Sequence, residues 1–273
     1  MNLRPKRWLG QNFLTEAGTA KRIVDSSNIG MEDVVLEIGA GLGALTFMLA
    51  HSAKKVYAVE KDRKLIPILD SEIAAHHIKN VVLIDKSILT VNLLELALEE
   101  GKRITVVGNL PYNISSQILV KLIKSRDAVH RAVMMFQKEF AERLTASPGN
   151  RDYGRITVIL NYCAEIRSIA VLSSSHFYPK PKVDSELVEI CFKPVIEDAA
   201  MEEETLFSVV KAAFSKRRKM LKNALSGSEL FPDAEKAGKM LEKIDIDPNR
   251  RGETLTVKEF VKLSNMVSMQ QEQ

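Results

Sequence analysis

Five short apolar runs, rich in β-branched residues, recur along the first half of the chain: Val34-Val35-Leu36-Glu37-Ile38, Val56-Tyr57-Ala58-Val59, Val81-Val82-Leu83-Ile84, Ile104-Thr105-Val106-Val107 and Val133-Met134-Met135-Phe136. Runs of this length without alternation suit strands buried on both faces of a sheet. Helical spacing lies between them. Ala17, Ala20, Ile23 and Val24 share one face of residues 15–28, residues 44–50 read as helical after a glycine cluster, and another helix begins near Ser115. Alternation of strand and helix predicts an α/β fold with a parallel sheet. Further on, Ile156, Ile159, Leu160 and Cys163 mark a helix, and residues 166–172 and 187–192 read as two strands joined by a loop. So short a connection suits an antiparallel pair rather than a parallel crossover. The expectation is five parallel strands plus an antiparallel hairpin, a seven-stranded sheet.

The pattern changes after Pro194. Glu197, Asp198, Glu202, Glu203 and Glu204 open a helical pattern that continues through Phe207, Val210, Ala213, Phe214, Leu221 and Leu225, until Gly227 and Pro232 break it. A further helix spans residues 234–243, Asp247-Pro248-Asn249 starts a turn, and Thr256 caps a last helix through Phe260, Leu263 and Met266, with a tail at 270–273 expected to fray. Two domains are expected, residues 1–195 with the sheet and 196–273 all-helical. Ahead of both, residues 4–14 have no clear period and read as an ordered arm.

With 45% hydrophobic and 27% charged residues among 273, the chain has enough apolar content for a sizeable core. The net charge of +4 matters because it is clustered, in Arg4, Lys6 and Arg7 and in Lys216, Arg217, Arg218, Lys219 and Lys222. Such a run could meet several phosphates or form a solvated helix face. Cys163 and Cys191 lie among apolar residues and are expected to be buried free thiols, and the five histidines lack zinc-ligand spacing, so no metal is expected. No apolar run approaches the roughly 18 residues of a membrane span and no signal segment opens the chain, so no membrane partner and a cytoplasmic location are expected.

The candidate chemistry sits where the strands end. The first runs into Gly39-Ala40-Gly41-Leu42-Gly43, the second ends in Glu60, the third in Asp85, and the fourth in Gly108-Asn109-Leu110-Pro111-Tyr112-Asn113. Strand, glycine turn and helix form a nucleotide-binding opening, and an acid about twenty residues on is placed for ribose hydroxyls. Two cofactor classes fit. A dinucleotide would rest its pyrophosphate on the helix N-terminus. S-adenosylmethionine would use Glu60 for the ribose, Asp85 for the adenine amino group, and Gly39 and Gly41 for the methionine end. Hydride transfer has no use for Asn109-Leu110-Pro111-Tyr112, whereas methylation of an exocyclic amine does. The Asn109 side-chain oxygen and the Leu110 carbonyl can accept the two N–H bonds and turn the lone pair toward the methyl donor, and Tyr112 can stack on the base.

These residues, with Gln11-Asn12-Phe13-Leu14, Asp152-Tyr153-Gly154-Arg155, Phe177-Tyr178-Pro179-Lys180-Pro181-Lys182-Val183-Asp184-Ser185, Ala213-Phe214-Ser215-Lys216-Arg217-Arg218-Lys219 and Asp247-Pro248-Asn249-Arg250-Arg251, resemble the ribosomal RNA adenine dimethyltransferases over nearly the whole chain. The resemblance is to the type that dimethylates two adjacent adenosines near the 3′ end of small-subunit rRNA. It implies a Rossmann-like class I methyltransferase sheet with a C-terminal helical RNA-binding domain, and cofactor contacts at Asn12, Leu14, Gly39, Glu60, Asp85 and Asn109. It also implies that Phe177 faces Tyr112 across a flipped adenine, that the basic run from Lys216 to Lys222 contacts RNA, and that a monomer works on the 30S particle or its precursor. Three other readings stay beside it: a macrolide-resistance type acting on large-subunit rRNA, an assembly factor whose binding outweighs catalysis, and, remotely, a dehydrogenase. Taken singly, Phe177 could instead plug the core, Tyr112 could be a packing tyrosine and Glu60 a surface acid.

Overall fold

The computed structural model describes residues 5–6 and 10–271. Arg4 and Arg7, counted above in the basic arm, lie outside the described residues.

All five apolar runs form strands: β2 (Val34–Ile38), β3 (Lys55–Glu60), β4 (Val81–Asp85), β5 (Ile104–Asn109) and β6 (Val129–Gln137), following a two-residue strand β1 (Phe13–Leu14). With β7 (Ala164–Leu172), β8 (Phe177–Tyr178) and β9 (Ser185–Phe192), they make a seven-stranded sheet of order β4-β3-β2-β5-β6-β9-β7 and a two-stranded pair β1-β8. β2 is parallel to β3 and β5, β3 to β4 and β5 to β6, while β9 runs antiparallel to β6. The expected architecture is therefore present. β6 begins four residues earlier than the run at Val133 suggested, because Val129 already pairs with Ile104; His130 and Arg131 interrupt the apolar pattern there and hid the strand.

The helices are α1 (Ala17–Ser26), α2 (Thr46–Ser52), α3 (Ile66–Ala75), α4 (Leu93–Glu100), α5 (Ser115–Lys124), α6 (Lys138–Leu144), α7 (Arg155–Cys163), α8 (Glu203–Ala213), α9 (Leu221–Leu225), α10 (Ala234–Lys243) and α11 (Val257–Gln271). Local chemistry sets several of their ends. Asn92 accepts from the Glu95 N–H at 3.3 Å to start α4, and Gly101 closes it at φ 65°. Asp233 caps α10 through the Lys236 N–H at 2.7 Å.

The chain divides into two compact units, residues 1–141 with 165–194, and residues 142–164 with 195–273. Against the boundary expected at 195/196, the division falls at 194/195 and residues 142–164 join the second unit, where α7 packs with α8 and α11. In the first unit, buried Ile23, Val35, Leu49, Val107, Met135 and Leu187 belong to one apolar cluster. In the second, Phe214 lies between Tyr153 and Phe260, with ring centroids 6.2 and 5.9 Å away. The helical pattern expected through residues 207–225 is two helices, because the chain leaves α8 at Phe214 and turns until Met220. The capping of the last helix is as expected: Thr256 Oγ1 accepts from the Glu259 N–H at 3.2 Å while Glu259 Oε2 accepts from the Thr256 N–H at 2.7 Å. α11 continues to Gln271, so the first two of the four tail residues expected to fray are helical, and residues 272–273 lie outside the described residues.

Candidate active site

Parallel register brings the strand ends level. Ile38 pairs with both Val59 and Gly108, and Glu60 with Asp85. The segments that follow β2, β3, β4 and β5 thus share one sheet edge, where open α/β sheets bind ligands. A cavity of about 180 Å³ lies there, and Asn12, Leu14, Gly39, Gly41, Glu60 and Asn109 all line it.

Its floor depends on glycines. Gly39, Gly41 and Gly43 have φ of 76°, 58° and 89°, a region that costs other residues steric energy. Their loop folds over β3, with the Gly39 and Ala40 N–H groups donating to the Val59 carbonyl at 2.9 and 3.2 Å. Gly108 is constrained by space instead: a Cβ there would lie 2.9 Å from the Ile38 carbonyl oxygen.

Glu60 is 8% exposed. Its Oε2 accepts from the Gly41 N–H at 2.8 Å and its Oε1 from the Asp62 N–H at 2.7 Å. A carboxylate has about four lone-pair sites, so acceptor capacity is left for a ligand's hydroxyls. Across the cavity, Asn109 Nδ2 donates to the Asn12 carbonyl at 2.7 Å. That bond sets the rotation of the amide and leaves Oδ1 to accept from a ligand.

The remaining expected residues are placed less directly. Leu110 buries its side chain at 2% exposure, so only its backbone carbonyl can serve. Tyr112 does not line the cavity, although Pro111, Asn113 and Ile114 do. Its hydroxyl lies 2.6 Å from the Oγ of Ser185, which is fully buried on β9. Burial pushes the Tyr112 phenol up, with the Ser185 contact opposing. Asp85 is 44% exposed and pairs with Arg63 at 3.5 Å, while its neighbours Lys86 and Ser87 line the cavity. Phe177 departs most from expectation. It is 3% exposed, does not line the cavity, and packs in the apolar cluster with Leu14, because β8 is held by β1 in the register Leu14↔Phe177.

Glu37 is a buried acid lining the cavity, and sequence reasoning assigned it no role. It is 1% exposed within β2, and Thr46 at the start of α2 donates to its Oε2 at 2.6 Å. Burial raises its carboxyl to about 7, against the Thr46 hydrogen bond and with the Glu60 charge adding to the rise. An acid inside an otherwise apolar strand was the signal available.

In the second unit, Lys216, Arg217, Arg218 and Lys219 are exposed, and they occupy the turn between α8 and α9 rather than a helix face. Two are tethered: Lys216 Nζ donates to the Ser226 carbonyl at 3.4 Å and Arg217 to the carbonyl of Arg151. Lys222 is half-buried on α9. Of the two arginines after Asn249, Arg250 pairs with Glu259 and donates to the Thr254 carbonyl at 2.6 Å, bracing the start of α11, while Arg251 is exposed.

Cys163 is buried and Cys191 half-buried, and neither is in a disulfide. Among the described residues no cluster of His, Cys, Asp and Glu could hold a metal, and no helix is long and apolar enough to cross a membrane.

Ribosomal RNA small subunit methyltransferase A of Desulforapulum autotrophicum is 49% identical over 263 residues, 96% of this chain and 92% of its own length. The protein of the same name from Bacillus cytotoxicus is 43% identical over 267 residues, 95% of this chain and 90% of its own. Among solved structures, a dimethyladenosine transferase from Plasmodium falciparum superposes with a TM-score of 0.80 at 27% identity, covering 92% of this chain and 95% of that one. A 23S rRNA methyltransferase, at 23% identity and a TM-score of 0.70 over 94% of this chain and 100% of that one, shares the fold. Residues 2–268 match the family described as ribosomal RNA adenine dimethylase, and with relatives of this identity over nearly its whole length the chain belongs to that family.

Proposed function

We propose that this protein transfers methyl groups from S-adenosylmethionine to N6 of two adjacent adenosines near the 3′ end of small-subunit rRNA, twice per base, acting as a monomer on the 30S particle or a precursor. The observation that carries the reading is the Asn109 amide. With Nδ2 committed to the Asn12 carbonyl at 2.7 Å, Oδ1 is the atom presented to a ligand, and an acceptor is what an exocyclic amine needs. The small-subunit assignment rests on the name carried by relatives at 49% and 43% identity, whereas the large-subunit enzyme at 23% shares only the fold.

The cavity fits the methyl donor better than a dinucleotide. Glu37 contacts Thr46 at the start of α2, where a dinucleotide would bring its pyrophosphate. A buried acid there opposes phosphate and suits a cationic ligand end. Asn12, Leu14, Gly39, Gly41, Glu60 and Asp85 would hold the donor: glycines leave room for its methionine end, and Glu60 accepts from the ribose. Asp85 accepts from the adenine amine in exchange for Arg63, an exposed pair worth little in water. When bound, S-adenosylmethionine supplies an electrophilic methyl group on a sulfonium.

Asn109 Oδ1 and the Leu110 carbonyl accept the two N–H bonds of the target amine. Its lone pair, delocalised into the ring, is thereby turned toward the methyl, and positioning does most of the work. No general base is required, because the nitrogen becomes strongly acidic only on methylation and its proton then passes to Asn109 or water. Tyr112 offers one stacking face. Phe177 would offer the second only by leaving the core. The basic turn from Lys216 to Lys219, with Lys222, meets the RNA phosphates.

Mass mapping of methylated adenosines after incubation with purified 30S and 50S particles tests the reading. Dimethylation of adjacent adenosines in 30S is expected; modification confined to 50S, or none, would overturn it.

A further inference from the structure

Asp62 lies just beyond β3 with its side chain 4% exposed. Its Oδ1 accepts from Lys6 Nζ at 2.6 Å and from the Lys64 N–H at 3.1 Å, and its Oδ2 accepts from Gln11 Nε2 at 3.0 Å. The Lys6 N–H in turn donates to Gln11 Oε1 at 2.8 Å, so the two arm residues are bound to each other as well as to the acid. On the other side, the Asp62 N–H donates to Glu60 Oε1, and Glu60 Oε2 holds the Gly41 N–H. A continuous chain of hydrogen bonds thus runs from the arm through Asp62 and Glu60 to the glycine loop.

The bond to the Lys64 N–H alone would be enough to shape the local turn. Lys6 and Gln11, 56 and 51 residues away in sequence, are not needed for that. What they do is hold Gly10, Gln11 and Asn12 where these residues line the cavity, and Asn12 is the residue whose carbonyl orients Asn109. Gly10 fits this path at φ 67°, where a Cβ would meet Asn113 Oδ1 at 2.8 Å.

We infer that Asp62 is a positioning residue which latches the N-terminal arm to the ribose-binding carboxylate, so that arm attachment and methyl-donor binding are one linked event. This rests on the proposed cofactor. Burial works against the charged form of Asp62, but the bonds from Lys6, the Lys64 N–H and Gln11 outweigh it and hold the carboxyl below its usual range. The latch is therefore an ionised acid with three donors. Loss of one charge-assisted hydrogen bond weakens the linked binding by about tenfold or more.

The test is calorimetric titration of S-adenosylmethionine into wild type and Asp62→Asn, which keeps the size of the side chain but sets an amide N–H against Lys6 or Gln11. It is paired with tryptic cleavage after Lys6, with and without donor. The expected result is at least about tenfold weaker donor binding with kcat recovered at saturating donor, and donor protection of the Lys6 site in wild type only. Equal donor affinity, or equal protection of that site in the variant, overturns the latch and leaves the proposed function standing. No donor binding by wild type overturns the proposed function itself. Should Asp62→Asn melt well below wild type without donor, Gln11→Ala and Lys6→Met carry the same test from the arm side, and wild-type donor affinity in both overturns the inference.

Discussion

Asn109 and Glu37 show how little freedom the key side chains have. The Asn109 amide is fixed from one end by a backbone carbonyl, so Asn109→Ala removes both the anchor and the acceptor. Turnover in a 30S methylation assay is expected to fall about 100-fold, the scale of a misplaced reacting group, with donor affinity falling much less. Unchanged turnover would remove the amine-orienting role. Glu37 has a carboxyl raised to about 7 by burial. A group raised in the folded state favours folding while protonated, and that contribution is present below the ordinary carboxylate range and lost as pH rises through about 7. Glu37→Gln stays neutral, so without donor it should melt above wild type at pH 8, by roughly 3 °C per kcal/mol gained, with the difference closing by pH 5. Melting curves that do not converge at low pH would contradict this.

At the scale of elements, the segment after β5 meets β9 through the Tyr112 hydroxyl on Ser185. This bond holds the aromatic ring from the far side of the clamp. Tyr112→Phe keeps a stacking face but releases it, and is expected to raise KM for the 30S substrate several-fold with kcat largely kept. Tyr112→Ala loses the face too, about 1–3 kcal/mol of stacking. Steady-state kinetics on both variants checks the order, and equal effects would argue against stacking. The elements themselves were legible in sequence where apolar residues dominate the run, as in β2 to β5 despite Glu37 and Thr105. They were obscured where polar residues intrude at the start of β6 and where local pattern continues across a break, as between α8 and α9. Nothing in periodicity distinguishes one helix through residue 225 from two helices with a turn; what differs is which apolar residues find a partner, and Phe214 finds Tyr153 and Phe260.

For the whole molecule, function needs a cavity for a small donor and a surface for a large polyanion. The four charges at Lys216, Arg217, Arg218 and Lys219 project from a turn. Reversing them to Glu should weaken 30S binding and flatten its dependence on log salt, by a slope of up to about 0.7–0.9 for each phosphate no longer neutralised. Unaltered affinity across a salt series would return the run to a solvated surface. Arg250 is expected to contribute little to that slope, being engaged by Glu259.

The sequence by itself determined the sheet, the glycine loop and the chemical character of the clamp. Strand burial, left-handed backbone and the donors and acceptors of Asn109 are properties of short stretches that a residue pattern records directly. Only the tertiary structure decided that Phe177 packs in the core, that Asp85 pairs with Arg63, that Glu37 is a buried acid under the cavity, and that Asp62 ties the arm to Glu60. Each of these depends on which residues distant in sequence reach the same place. Burial and hydrogen-bond partners, which set both charge state and orientation, are properties of that meeting and not of the stretch.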